Sequence, residues 1–266
     1  MKRLLVFDVD GTLITHEGVI PEANLKAINE RLAEGDAVAI ASGRPFTGIN
    51  IFLSQLIDGE KYACAANGAA VYDKDGNVLY TNGLKPEDFE SFCKRHPEVR
   101  EAGVPLYCYL ANNIGYYEYD WAIDWEIKCN LIPGRDLTKE PFKENDVLLK
   151  FMIASKEPSF IDGFKLVEED LKYRCMRTNP CYLEFVNPGT DKGIAVEFLK
   201  QKLKIDNKYV FTFGDQGNDV KMIEDFQGIA MGNAIPACKK VAKYITENCE
   251  KDGVASAIYN FVLKMK

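Results

Sequence analysis

The run Leu4-Leu5-Val6-Phe7 is apolar without interruption and stops at Asp8-Val9-Asp10-Gly11-Thr12-Leu13, where two carboxylates stand one residue apart. A strand buried in a parallel sheet reads as a continuous apolar run, and in open α/β sheets the loops at the carboxyl ends of strands hold the ligands. The pattern predicts an α/β fold built on a doubly wound, mainly parallel sheet, with Asp8 and Asp10 at a strand end. Two short carboxylates this close repel each other unless a cation or a shared proton relieves them. The pair points to a metal site or to acid/base work.

A second Asp-x-Asp-Gly in the same chain acts as a control. Val71-Tyr72-Asp73-Lys74-Asp75-Gly76-Asn77-Val78-Leu79-Tyr80 has apolar and aromatic residues on both sides of Asp-Gly-Asn, the signature of a β-hairpin turn. That copy is assigned to structure. A calcium loop does not fit the first copy, because Leu13 stands where an EF-hand needs glycine.

With 266 residues, 47% of them hydrophobic, the chain can bury a large core as one big domain or two ordinary ones. Its net charge of −7 argues against nucleic acid as a partner, since such binding needs a basic surface. No apolar stretch reaches the length of a membrane span, and Met1-Lys2-Arg3 leads straight into the first strand, so a cytoplasmic protein is expected. The eight cysteines lack any Cys-x-x-Cys pair, and His16 and His96 are far apart in sequence. By spacing alone zinc is not expected, reduced thiols are, and carboxylates must carry the acid/base work.

Further along, Pro21 to Ala33 has helical spacing and Ala37 to Ala41 reads as a second buried strand, completing a βαβ unit. That strand ends in Ser42-Gly43-Arg44, where a hydroxyl, an unshielded N–H and a guanidinium lead into a helix from about Phe46 to Leu56, a candidate phosphate grip. Tyr62 to Ala66 is a third strand, ending in Asn67-Gly68. From about Gly83 to Leu183 the regular alternation is lost. Helical stretches at Pro86 to Arg95 and Pro158 to Lys172 sit among β-like runs such as Val104 to Leu110 and Val147 to Ile153, which suggests an inserted α+β domain at 83–183 within a core of 1–82 and 184–266. The insertion also concentrates aromatics, most of them suited to a sheet face or core, with Tyr117 and Trp121 as candidates to face a substrate.

Alternation resumes at Asn187-Pro188-Gly189-Thr190-Asp191-Lys192-Gly193. Lys192 falls in the first turn of a helix, where its charge opposes the helix dipole unless an anion compensates it. Tyr209 to Phe213 is another buried strand, and it ends in Gly214-Asp215-Gln216-Gly217-Asn218-Asp219, a cluster that helix capping by one residue does not account for.

Taken in order, Asp8-Val9-Asp10-Gly11-Thr12, Ser42-Gly43, Lys192-Gly193 and Gly214-Asp215 with Asn218-Asp219 resemble the four motifs of haloacid dehalogenase superfamily phosphatases. Asn187-Pro188 before Lys192-Gly193, Asn67-Gly68 and Met231-Gly232-Asn233-Ala234 resemble the Cof-type subfamily, whose α+β cap is inserted between the second and third motifs. The resemblance implies a Rossmann-like core and a Mg²⁺-dependent phosphatase acting on a small phosphorylated metabolite, with sugar phosphates ahead of pyridoxal phosphate and nucleotides. It implies Asp8 as nucleophile and Asp10 as general acid/base. Asp8, the Asp10 carbonyl and Asp215 would hold the metal, supported by Asp219, while Ser42, Gly43, Lys192, Asn218 and Arg44 would grip the phosphate. A monomer or weak homodimer is expected. A phosphomutase on the same core is the nearer alternative. A phospho-accepting receiver protein is the more distant one, since a receiver places its acceptor after a middle strand and has no insertion.

Overall fold

A computed structural model describes residues 1–264. The chain divides into two compact units, Met1–Tyr80 with Asp191–Lys266, and Thr81–Thr190.

The first unit is organised by an eight-stranded sheet in the order Tyr244–Ile245, Gln227–Ala230, Val210–Gly214, Leu4–Phe7, Ala37–Ala41, Lys61–Ala65, Ala70–Asp73, Val78–Thr81. Its first six strands pair in parallel; Lys61–Ala65 and Ala70–Asp73 run antiparallel. The apolar run that opens the chain is central. Leu4, Leu5, Val6 and Phe7 are wholly buried, with Leu4 opposite Val210 on one side and Ala37 on the other. Succession proceeds outward in one direction from Leu4–Phe7 through Ala37–Ala41, and in the opposite direction from Val210–Gly214. The sheet therefore reverses its winding between Leu4–Phe7 and Val210–Gly214, the point at which open α/β sheets form a ligand crevice. Asp8 and Asp215 follow these two strands.

The second Asp-x-Asp-Gly is a turn, as its flanks predict. Asp73 Oδ1 accepts the N–H groups of Asp75 at 3.0 Å and Asn77 at 2.9 Å, and Gly76 has φ +84°, so the carboxylate serves the hairpin between Ala70–Asp73 and Val78–Thr81.

The second unit carries a six-stranded sheet in the order Arg174–Asn179, Tyr182–Val186, Leu148–Ala154, Leu106–Leu110, Ile114–Tyr116, Gly134–Asp136. The Tyr182–Val186 strand runs across the edge expected at 183/184 and pairs with Leu148–Ala154, so residues 184–190 fold with this unit. Alternation gives the sheet two different faces. Cys108, Leu110, Phe151, Ile153 and Phe185 pack with Phe89 and Phe92 into an aromatic core, in which the Phe151 and Phe185 rings stack at 4.8 Å. On the opposite face Tyr107 and Tyr109 reach the buried Glu126 of helix Trp121–Asn130 at 2.9 and 2.5 Å, and Lys150 meets Glu184 at 2.9 Å.

Two helices differ from expectation. Helix Phe46–Leu53 stops short of Leu56. The expected helix Pro158 to Lys172 is two pieces, Pro158–Gly163 and a 3₁₀ turn at Glu168–Lys172. Gly163 is a poor helix interior, and Phe164 leaves in an extended conformation to place its ring 4.9 Å from that of His96. The last helix, Gly253–Ala257, widens into a π turn at Ile258–Val262. Tyr117 stacks parallel to Phe89 at 6.0 Å against the aromatic core, while Trp121 opens its helix with the Lys156 ammonium 5.2 Å from its ring.

Candidate active site

The candidate catalytic, phosphate-binding and metal-binding residues all lie in the first unit, whereas Tyr117 and Trp121 lie in the second. Asp8 is the first residue past its strand, and its N–H donates to the Phe213 carbonyl at 3.0 Å, carrying the parallel ladder one step into the loop. The chain then turns sharply through Gly11, at φ +80°. Only glycine suits this place, since a Cβ would stand 2.6 Å from Asp215 Oδ2. The turn brings Thr12 beneath the second carboxylate loop, where its hydroxyl donates to Asp215 Oδ1 at 3.1 Å.

Lys192 is the first residue of helix Lys192–Leu203, capped by Asp191, whose Oδ1 accepts the Ile194 N–H at 2.9 Å. The unfavourable position of a lysine there is offset by two anions: its wholly buried Nζ lies 2.6 Å from Asp8 Oδ1 and 2.6 Å from Asp219 Oδ1. The other Asp219 oxygen accepts the N–H groups of Asp215 at 2.9 Å and Gln216 at 3.0 Å. Asp219 thus closes its own loop with one oxygen and aims Lys192 with the other, which explains why capping alone did not account for the cluster.

One oxygen from each of Asp8, Asp215 and Asp219 lies within 4.8 Å of the other two. Three buried carboxylates against one ammonium leave the site short of positive charge. Burial, and then the charge of Asp219, pushes the Asp8 carboxyl up to about 8 against the pull of Lys192. Burial and Asp219 also raise Asp215. Burial works against the charge on Lys192, yet Asp219 and Asp8 hold its pKa above the ordinary lysine value. An all-oxygen donor set with surplus negative charge fits a hard divalent cation.

Ser42 is buried at the end of Ala37–Ala41 and its Oγ accepts the Arg44 N–H at 3.3 Å. Arg44 grips Asp10 by two bonds, Nη2 to Oδ1 at 2.8 Å and Nε to Oδ2 at 3.2 Å. Its guanidinium thereby faces a carboxylate. The Asp10 side chain is the exposed member of the set, 62% accessible against 9% for Asp8.

Asn67, Asn233 and Thr12 also belong to this assembly. Asn67 follows strand Lys61–Ala65 in a left-handed stretch, with φ of +48° at Ala66, +57° at Asn67 and +95° at Gly68. Its Oδ1 accepts the Asn218 amide at 3.0 Å, and a Cβ on Gly43 would come within 3.3 Å of its Nδ2. Gly68 must be glycine, since a Cβ would lie 2.2 Å from the Asp191 carbonyl. Asn233 donates to the Gly11 carbonyl at 2.8 Å and approaches Asp215 Oδ2 at 3.4 Å. Thr12 is the third. All three sit inside motifs legible in the sequence, but their contacts are tertiary.

A family model described as haloacid dehalogenase-like hydrolase matches residues 5–258. A Streptococcus pyogenes protein named "Putative phosphatase" is 31% identical over 98% of this chain and 98% of its own length. The HMP-PP phosphatase of Yersinia pseudotuberculosis is 27% identical, covering 98% of this chain and 96% of that protein. Among solved structures, a haloacid dehalogenase-like hydrolase from Bacteroides thetaiotaomicron superposes with a TM-score of 0.84 at 25% identity, covering 97% of this chain and 99% of the other. Sequence match and fold agree with the four carboxylate, hydroxyl and lysine loops gathered at the sheet's switch point: the chain belongs to the haloacid dehalogenase-like hydrolase family and is an enzyme of its phosphatase type.

Proposed function

We propose that this protein hydrolyses the phosphoric monoester of a small metabolite, a sugar phosphate in the first place, through an aspartyl-phosphate formed on Asp8. The observation that carries the reading is the buried Asp8 carboxylate at a strand end with Lys192 Nζ at 2.6 Å. Lysine keeps the attacking oxygen in place and lies where charge on the phosphoryl oxygens builds up.

In the first half-reaction an Asp8 oxygen bonds to phosphorus, the bond from phosphorus to the ester oxygen breaks, and Asp10 gives that leaving oxygen its proton. In the second half Asp10, now ionised, takes a proton from water, and the hydroxide oxygen attacks phosphorus to release phosphate and restore Asp8. The exposure of Asp10 suits a group that must reach both leaving oxygen and water, and Arg44 holds it in one orientation. Ser42, the Gly43 N–H, Lys192 and Asn218 surround the phosphoryl oxygens, with Asn67 fixing the Asn218 amide. Asp8, the Asp10 carbonyl and Asp215 would hold Mg²⁺, with Asp219 supporting them; when bound, the ion supplies positive charge against the phosphoryl oxygens.

Sugar phosphates come first on family resemblance, and the Yersinia relative, named an HMP-PP phosphatase, adds HMP-PP to the candidates. We place the protein as a cytoplasmic metabolite enzyme working as a monomer or weak homodimer; among the described residues no helix is long and apolar enough to cross a membrane.

The test is a panel of sugar phosphates, pyridoxal phosphate, nucleotides and HMP-PP assayed for free phosphate with Mg²⁺. Catalytic release from a sugar phosphate at the highest kcat/KM supports the reading. An isomerised phosphosugar without release marks a mutase, stoichiometric labelling without turnover marks a receiver, and preference for another ester overturns the sugar assignment alone.

A further inference from the structure

His16 and Glu250 are 234 residues apart in sequence but meet in the first unit. His16 sits in a tight loop closed by the Thr15 N–H to the Val19 carbonyl at 3.0 Å and the Gly18 N–H to the Thr15 carbonyl at 2.9 Å. Glu250 lies in the 3₁₀ turn Cys249–Lys251. Its Oε1 accepts the His16 N–H at 2.7 Å and lies 3.4 Å from His16 Nδ1 and 3.9 Å from Cys249 Sγ. One nitrogen, one sulfur and one oxygen, each from a different side chain, all fall within 4.8 Å of one another.

That spacing is close to what a tetrahedral ion requires. Ligand atoms at 2.0–2.3 Å from such an ion stand about 3.3–3.7 Å apart, so the trio must tighten by only about 1 Å or less. The His16 side chain is 82% exposed and is free of packing that would resist this closure. Cys249 is buried in place, its N–H donating to Asn233 Oδ1 at 3.0 Å. The donor set is also of another chemical kind from the carboxylate cluster. Thiolate and imidazole favour borderline-soft ions, whereas Asp8, Asp215 and Asp219 offer only hard oxygen.

We propose that His16, Cys249 and Glu250 form a binding site for a divalent transition ion of the zinc class, distinct from the oxygen-donor cluster and sharing no residue with it. Three protein ligands leave a fourth position for water. Binding replaces the sulfur–hydrogen bond of Cys249 with a sulfur–metal bond and releases the proton to solvent, so affinity rises with pH. Burial and the Glu250 charge push the free thiol up, which extends that dependence to higher pH. Occupation ties the Thr15–Val19 loop to the Cys249–Lys251 turn. Asn233 connects that turn to the active site through Gly11 and Asp215.

The test is titration of the full-length protein with Co²⁺ in excess Mg²⁺, reading the near-ultraviolet sulfur-to-cobalt charge-transfer band, which an all-oxygen site does not produce. The band is expected to grow to one equivalent, to vanish on adding Zn²⁺, to be missing in Cys249→Ser and to persist in Asp8→Asn. In His16→Ala, whose exposed side chain makes misfolding no issue, Co²⁺ affinity is expected to fall about tenfold or more. No band, a band that survives in Cys249→Ser, or unchanged affinity in His16→Ala overturns the site. Should Cys249→Ser fail to fold, His16→Ala and Glu250→Gln decide through the intact thiol. None of these readouts depends on the substrate proposed above.

Discussion

The Nζ of Lys192 is shared between Asp8 and Asp219, 2.6 Å from an oxygen of each. A lysine at a helix start bonded to two carboxylates, in the loops that follow two adjacent parallel strands, locks the helix to the sheet at the place where chemistry is expected.

Asp8→Asn keeps the shape of the side chain but replaces the nucleophile with a neutral amide. Phosphate release is expected to drop to background while the far-ultraviolet circular dichroism spectrum is unchanged. Turnover near that of the wild type would exclude an aspartyl-phosphate at this position.

Lys192→Met leaves two buried carboxylates without their cation. Breaking a buried pair in this way costs about 3–5 kcal/mol, which urea denaturation without metal should report. Phosphatase activity is expected to fall about 10²- to 10³-fold on every substrate, in line with loss of a group that stabilises transition-state charge.

Arg44→Ala separates positioning from stability. The Arg44–Asp10 pair is partly exposed, so unfolding free energy is expected to change by less than about 1 kcal/mol. Activity should suffer more, with kcat lowered because Asp10 is no longer held in one orientation by the guanidinium. A stability loss with normal kcat would assign the pair to structure alone.

Removal of divalent ions by EDTA is expected to stop turnover, and Mg²⁺ to restore it, because Asp8, Asp215 and Asp219 otherwise present uncompensated negative charge to an anionic substrate. Full activity in EDTA would remove the assigned metal site.

Acid sensitivity is expected in the second unit. Asp170 is buried, and its carboxylate contacts Arg95 Nη2 at 2.5 Å and His96 Nε2 at 2.6 Å. Burial works against its charge, but the hydrogen bonds from Arg95 and His96 outweigh it and hold its pKa below the ordinary aspartate value. A depressed carboxylate pKa stabilises the fold above the ordinary range and loses that contribution as pH falls through the folded value. Near-ultraviolet dichroism of the Phe92–His96–Phe164 cluster should therefore collapse on acidification below about pH 4. Asp170→Asn should weaken the unit at pH 7 and flatten that acid limb; an unaltered acid transition would count against the linkage.

Much of the first unit was legible because its signals are local. Four uninterrupted apolar residues make Leu4–Phe7 a strand that can be buried on both faces. Proline before and glycine after bracket Glu22–Ala33, and the flanks of Asp73 separate a hairpin turn from the carboxylates of Asp8 and Asp10. The helix Pro158 to Lys172 was misjudged because local propensity could not reveal that Phe164 leaves the helix for a ring contact with His96, nor that Asp170 is bonded to Arg95, 75 residues earlier.

The sequence by itself determined which residue types end each strand of the parallel sheet, since apolar runs, glycines and carboxylates act through the chain's own neighbours and their order survives any packing. Only the tertiary structure decided which of those ends meet. Asp8 and Asp215 became neighbours because the sheet reverses its winding between Leu4–Phe7 and Val210–Gly214. Lys192 was turned inward by two carboxylates, Arg44 was directed to Asp10, and His16 was brought to Cys249 and Glu250. Those pairings depend on distances of a few ångströms between residues tens to hundreds of positions apart, and spacing along a chain carries no information about such distances until the sheet has set its order.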